Sequence, residues 1–490
     1  MRRASTLALA IAAAAGFSAC HSGSQQEGTL TRAQLLDPQA CAGCHQEQFT
    51  DWAGSMHAYS SNDPVMRAMN ARGQRETNGQ LGKFCVNCHA PMAVREGATT
   101  DGLNLDQLPS HLKGITCYFC HSVENVTGTH DNPLQLANDG VLRGSFSDPV
   151  ASGRPHGAAY SPHLDRNRTE SATMCGACHD IVNGHGAAIE RTFSEWKESA
   201  FKEPIVGSTC GACHMPQSTV EKPVAQVPGA PLRRSHGHTM PAIDVALTPF
   251  PDTVRQREQV QALLDTSLQT AICVQQFGNT GQVSVIMDNV AAGHSFPSGS
   301  EQDRRAWVEL HAYKGDTEIY QTGVVAPGTP STAAGNDADR WLLRDCMLDD
   351  SGKEVHMFWE ATAFETNGLP AKPTFDITSP NFYQTHKYRY FPKDNRQLDP
   401  MPDRVTLQVH FEPVGLEVVD DLIRSGDLDP SVRNTLKNLT VGAPLEWTPA
   451  TATASYLDRN TGQTVKCATN TNINVAADRF PAPTRSKSAP

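Results

Sequence analysis

Ten of the fourteen cysteines in this 490-residue chain fall into five copies of one five-residue pattern. The copies are Cys41-Ala-Gly-Cys44-His45, Cys85-Val-Asn-Cys88-His89, Cys117-Tyr-Phe-Cys120-His121, Cys175-Gly-Ala-Cys178-His179 and Cys210-Gly-Ala-Cys213-His214. At this composition roughly 0.015 matches to Cys-x-x-Cys-His are expected by chance. The pattern is the attachment signature of c-type haem. Two thiols three positions apart reach the two vinyl groups of one porphyrin, and the adjacent His presents its imidazole to the iron as proximal ligand. A zinc site needs no His at a fixed next position, and a thioredoxin-type redox pair occurs once, beside a βαβ pattern. The expectation is five covalently attached haem c groups with His45, His89, His121, His179 and His214 as proximal ligands. Such a load constrains the fold: with few apolar residues per haem, the porphyrins themselves form much of the core.

The N-terminus points to export. Arg2 and Arg3 precede an apolar, Ala-rich run from Leu7 to Gly16 that is too short to span a membrane. It ends in Phe17-Ser18-Ala19-Cys20, which reads as a lipoprotein signal with Cys20 lipidated; ordinary cleavage near Ala19 is the alternative. Residues 1–20 are thus taken as a signal peptide and 21–37 as a tether, opening with the Ser/Gly/Gln-rich stretch Ser22 to Gly28. The protein is expected in the periplasm or at the outer membrane, held by its lipid anchor. In that oxidising compartment any two of Cys273, Cys346 and Cys467 can pair.

Beyond the last motif the pattern changes. From Gly281 onward apolar residues alternate: Val283, Val285 and Met287 share one face, as do Val405, Leu407, Val409 and Phe411. Leu310 to Tyr313 and Glu318 to Val325 read as a hairpin around Lys314-Gly315-Asp316. Leu416 to Ile423 is helix-periodic, and Asp429-Pro430 opens another helix with a cap and an N1 proline. The expected fold class is α+β: a mainly helical multihaem domain over 38–245, then a β-rich, sandwich-like domain over 246–479 with a small helical insert. Residues 480–490 are read as a disordered tail.

An internal repeat runs through the haem region. Phe49-Thr50-Asp51-Trp52-Ala53-Gly54-Ser55 follows the first motif, and Phe193-Ser194-Glu195-Trp196-Lys197-Glu198-Ser199 follows the fourth. Cys88-His89-Ala90-Pro91-Met92 likewise resembles Cys213-His214-Met215-Pro216. Haems one and two therefore look like haems four and five, with the third between them. The copies differ two residues after the Ser: His57 in the first, Phe201 in the second.

A second axial ligand decides what each haem can do. An iron held by two imidazoles passes electrons, whereas one lacking the second ligand can bind a small molecule. His57 stands at helical spacing from Trp52 and is a distal candidate. His156 precedes the fourth motif, with His163 as its competitor. One of His236 and His238, after the fifth motif, is a candidate. His111 and His130 flank the third motif, and either serves. His294, in a Gly- and Pro-bounded loop of the β-rich region, is a candidate donated from the second domain.

The motif run, Trp52-x-x-Ser55-x-His57, Gly114-Ile115-Thr116-Cys117, Glu195-Trp196-Lys197 and Cys213-His214-Met215-Pro216 together resemble the cytochrome c-554-like multihaem cytochromes. Gly293-His294-x-Phe296-Pro297-x-Gly299 is similar to a loop of longer members. The resemblance spans roughly residues 38 to 310. It implies closely packed, mostly bis-His haems relaying electrons across the bacterial envelope, with His57 as a distal ligand. Phe201 departs from the pattern. A net charge of −11 excludes nucleic acid as a partner class and favours docking to a basic redox protein. The reading is an electron carrier in an anaerobic respiratory or extracellular electron-transfer chain. Its rivals are an oxidoreductase with one open haem acting on a small nitrogen or sulfur compound, and the subunit of a homo-oligomeric conductive filament.

Overall fold

A computed structural model describes residues 30–149, 155–204, 207–300, 303–333, 335, 337–383, 385, 387–457 and 462–470. The expected signal peptide, Cys20 and the tail 480–490 lie outside the described residues. Those described form an α+β fold. Among them no helix is long and apolar enough to cross a membrane.

The haem-motif region is built from short helices, the longest being Pro64–Glu76, interleaved with two-stranded ribbons. The motifs are themselves helical turns. Cys117–His121 and Cys210–His214 are helices in full. In the first, second and fourth motifs the His amide donates to the carbonyl of the first Cys, at 2.8, 3.1 and 3.1 Å. That bond stacks the first Cys and the His one turn apart on one face. The first Cys and the His of each run are thus placed by local geometry alone where one porphyrin could take both. The expected tether proves shorter. Arg32–Leu36 is a helix closed by a Thr31/Gln34 capping box, and it buries Leu35 and Leu36 in one cluster with Tyr118 and Phe119 of the third motif.

The second half packs two antiparallel sheets face to face. One has the strand order Lys387–Phe391, Thr280–Asn289, Leu268–Phe277, Thr464–Thr469, Ala454–Leu457. The other runs Thr317–Thr322, Arg305–Lys314, Arg404–Glu412, Leu439–Trp447, with Trp341–Leu343 against Arg305–Lys314. Val283, Val285 and Met287 of the first share a core with Val405, Leu407, Val409 and Phe411 of the second. The alternation of apolar residues therefore marks the inward faces. Cys273 and Cys467 are opposite one another in the register and form a disulfide, leaving Cys346 as a thiol. Leu416–Arg424 is helical, and Asp429 caps a short 3-10 turn over Pro430–Asn434.

The halves meet in shared apolar clusters. Val65, Ala68 and Met69 of Pro64–Glu76 pack with Val418, Val419 and Leu422 of Leu416–Arg424. Phe193, Trp196 and Phe201 pack with Phe375. These contacts hold elements of the β-rich half beside the motifs.

Candidate haem centres

Four of the five motif histidines face a second imidazole. Ring centroids lie 6.3 Å apart for His45 and His156, and 6.4 Å apart for His179 and His57, His121 and His238, and His214 and His294. Two metal–imidazole bonds of about 2 Å, with half a ring added on each side, separate such centroids by roughly 6.3 Å. The spacing fits one iron between each pair and is far too wide for direct stacking.

The outer nitrogen of every ring in these pairs is engaged. Nδ1 of His45, His121 and His214 meets the carbonyls of Val224, Arg143 and Pro241 at 3.0, 2.6 and 2.7 Å. Nδ1 of His179 meets the Glu190 carboxylate at 3.1 Å. On the opposing side His156, His238 and His294 use the carbonyls of Gly157, His236 and Ser295, and His57 uses the Met240 sulfur. A proton donated from Nδ1 fixes the tautomer in which Nε2 carries a bare lone pair, the form that binds metal. Desolvation pulls His57 and His238 down to about 4, so both are neutral at pH 7.

The remaining candidates sit elsewhere. His163 has its Nδ1 on the Glu170 carbonyl, and His236 serves His238 through its own carbonyl. His111 lies half-exposed in the turn Ser110–Leu112. His130 does not face the third motif. It sits on the hairpin between Val123–Val126 and Leu134–Leu136, where Asp131 and Asn132 take left-handed conformations, and pairs with Asp131 in solvent. Nearness in sequence to the third motif misled the expectation, because the turn directs the side chain outward.

The repeat is visible in three dimensions with a different pairing from the one read in sequence. Trp52 donates to the carbonyl of Ile115, two residues before the third motif; Trp196 donates to that of Ser208, two before the fifth. The first copy thus braces the third motif and the second copy the fifth. The acidic residue of each copy holds a histidine-bearing segment. Asp51 accepts from the His238 amide at 3.0 Å, and Glu195 accepts from the Ser295 amide at 3.1 Å and the Ser298 hydroxyl at 2.8 Å. Where the first copy presents His57 to His179, the second has Phe201, buried against Phe375 and Gly293. Phe201 backs the loop that brings His294 to His214.

The motifs stand side by side: the sulfur of Cys41 lies near that of Cys117, Cys88 near Cys178, and Cys175 near Cys210. Cys120 also lies within electrostatic reach of Cys175 and Cys178. The fourth motif is therefore a hub, standing beside the second, third and fifth, while the first stands beside the third.

His89 differs from the other four. Its Nδ1 lies 3.4 Å from the Ser60 carbonyl, and among the described residues no imidazole faces it. A cavity of about 320 Å³ opens from Cys85, Cys88 and His89, walled by Met66, Met69 and Leu436 and by Asp303 and Arg304 from the β-rich half. Nothing in the sequence around the second motif marks it out; only the absence of a fifth imidazole in three dimensions does.

Cys-x-x-Cys-His turns with a second imidazole facing the motif histidine are the arrangement found in multihaem c-type cytochromes. Residues 40–122 match the family model for cytochrome c554 and c-prime. The whole fold resembles the crystal structure of a penta-heme cytochrome c552 from Thermochromatium tepidum, with a TM-score of 0.58 and 18% sequence identity, covering 85% of this chain and 99% of that one. No curated protein matches the sequence. Haem c is the cofactor implied, and electron transfer is the activity such cytochromes share.

Proposed function

We propose that this chain is an electron-transfer cytochrome of the bacterial cell envelope carrying five haem c groups, four of them bis-His ligated. The observation that carries the reading is the set of four imidazole pairs at 6.3–6.4 Å, each ring anchored through its outer nitrogen. Bound haem iron supplies one-electron chemistry between its ferric and ferrous states. The protein's part would be to hold four of the five irons between two imidazoles, which would close them to ligands, and to keep neighbouring motifs side by side. Residues 38–245 form the haem-binding unit in this reading, and 246–479 the unit that donates His294.

The export signal and Cys20 support a periplasmic or outer-membrane location with a lipid anchor. A net charge of −11, before the propionates are counted, suits a basic redox partner docked by salt-sensitive attraction. The pyridine haemochromogen assay is expected to give five haem c per chain. Electron paramagnetic resonance of the oxidised protein is expected to give low-spin signals from four irons; a count below four ends the bis-His assignment.

The lone His89 favours a second reading, in which the iron at the second motif is open and acts on a small nitrogen or sulfur compound. A high-spin ferric signal from one iron, and carbon monoxide binding to one iron of the reduced protein, are then expected. An entirely low-spin spectrum leaves the pure carrier.

A further inference from the structure

The cavity at the second motif has a polar wall built by the other half of the chain. We infer that Arg304, with Asp303 beside it, forms a site for an oxyanion in this cavity: a carboxylate or a small inorganic oxyanion. The inference rests on the second motif holding a haem, and its free-oxyanion form rests on the open-iron reading above.

The Arg304 side chain is 11% exposed. Its Nη2 donates to Asp244 at 2.8 Å, while Nε and Nη1 are buried with no hydrogen-bond partner. A guanidinium cannot shed its proton, so unmatched buried donors are costly unless an acceptor meets them. Asp303, 8% exposed, likewise has an unpartnered buried Oδ1. Burial pushes its carboxyl up to about 7, which favours the protonated form able to donate a hydrogen bond. The other acids on the wall are engaged. Asp63 caps Pro64–Glu76 through the amides of Val65 and Met66, Glu190 holds His179, and Asp244 holds Arg304. Arg257 and Lys437 add positive charge to the lining. Gly299 makes room for the guanidinium: its φ is +92°, and a Cβ there would overlap Arg304 Nη1. The same loop carries His294, so one segment serves both the fifth motif and this site.

Two sources supply the chemistry, the haem's own propionate and a free oxyanion, and one set of measurements separates them. The full-length holoprotein is compared with Arg304→Gln and Arg304→Lys. Carbon monoxide binding to the reduced forms reports whether the iron is open, independently of any anion. Sodium nitrite is titrated into the oxidised forms, followed by Soret absorbance and electron paramagnetic resonance. Midpoint potentials are measured at several pH values.

For a free oxyanion, Arg304→Gln is expected to weaken nitrite binding roughly tenfold or more, Arg304→Lys to restore part of it, and carbon monoxide binding to persist. For a propionate, nitrite binding is unchanged, and Arg304→Gln gives one midpoint potential a new pH dependence between about pH 6 and 8, as the carboxylate loses its cation. Either result assigns the site to an oxyanion. If Arg304→Gln keeps its haem spectrum and alters neither quantity, the inference is overturned. Failure of the wild type to bind carbon monoxide removes the open-iron reading instead and leaves the potentials to decide the site.

Discussion

The two copies of the Phe-x-x-Trp-x-x-Ser unit run in parallel up to one residue. Trp52 and Trp196 brace the carbonyl two residues ahead of a haem motif, and Ser55 and Ser199 each return a hydroxyl to the Trp carbonyl, at 2.7 and 2.8 Å. Asp51 and Glu195 hold the backbone of a segment that carries a histidine. Then the first copy offers His57 and the second buries Phe201. One scaffold can thus either place an imidazole opposite a motif histidine or support a loop that places one from elsewhere. In the second case His294, which faces His214, comes from beyond the haem motifs and brings the β-rich half to the fifth motif.

The comparison can be broken at its point of divergence. His57→Ala is expected to have the largest effect: the iron at the fourth motif loses its second imidazole and turns high-spin, seen as one additional high-spin signal and one additional carbon monoxide site. His130→Ala is the matched control, and any spectral change there contradicts its place in solvent. Phe201→Ala leaves the four imidazole pairs intact but hollows the support of the His294 loop; a loss of about 3–5 kcal/mol in denaturant unfolding is expected. A smaller step tests the acidic anchor. Glu195→Gln keeps the shape and weakens the bonds to Ser295 and Ser298, for a loss of about 1–2 kcal/mol and a lower denaturant midpoint for the fifth centre's low-spin signal. The smallest effect concerns the partner of His57. His179 is the motif histidine whose outer nitrogen meets a carboxylate, which makes it the more basic ligand. Glu190→Gln is expected to raise the midpoint potential of that centre by tens of millivolts with no change of spin state, measured by spectroelectrochemistry; a downward shift contradicts this role.

Much of this was legible in sequence, and where it was legible the cause is local. The alternation of Val405, Leu407, Val409 and Phe411 marks an inward strand face because side chains on a strand alternate with period two. The distal histidines were harder. His156 and His163 lie within one short stretch, as do His236 and His238, and composition does not separate them. The chain path does, by turning His163 to the Glu170 carbonyl and using the His236 carbonyl to orient its neighbour. His130 pairs with Asp131 in solvent beside a left-handed turn at Asp131 and Asn132, which proximity along the chain does not reveal. The repeat was found, but sequence likeness after the second and fifth motifs paired them, whereas the Trp hydrogen bonds relate the third motif to the fifth.

What the sequence alone determined is the set of attachment motifs. Five Cys-x-x-Cys-His runs point to covalent haem with a proximal imidazole, and an i to i+4 hydrogen bond sets thiol and imidazole on one face whatever the rest of the chain does. The tertiary structure alone decided which imidazoles oppose them, that the fourth motif is the hub, that Cys273 meets Cys467, and that His89 faces a cavity walled by Asp303 and Arg304. Each of these joins groups far apart along the chain. Their meeting depends on how helices and sheets pack, and no local spacing encodes that.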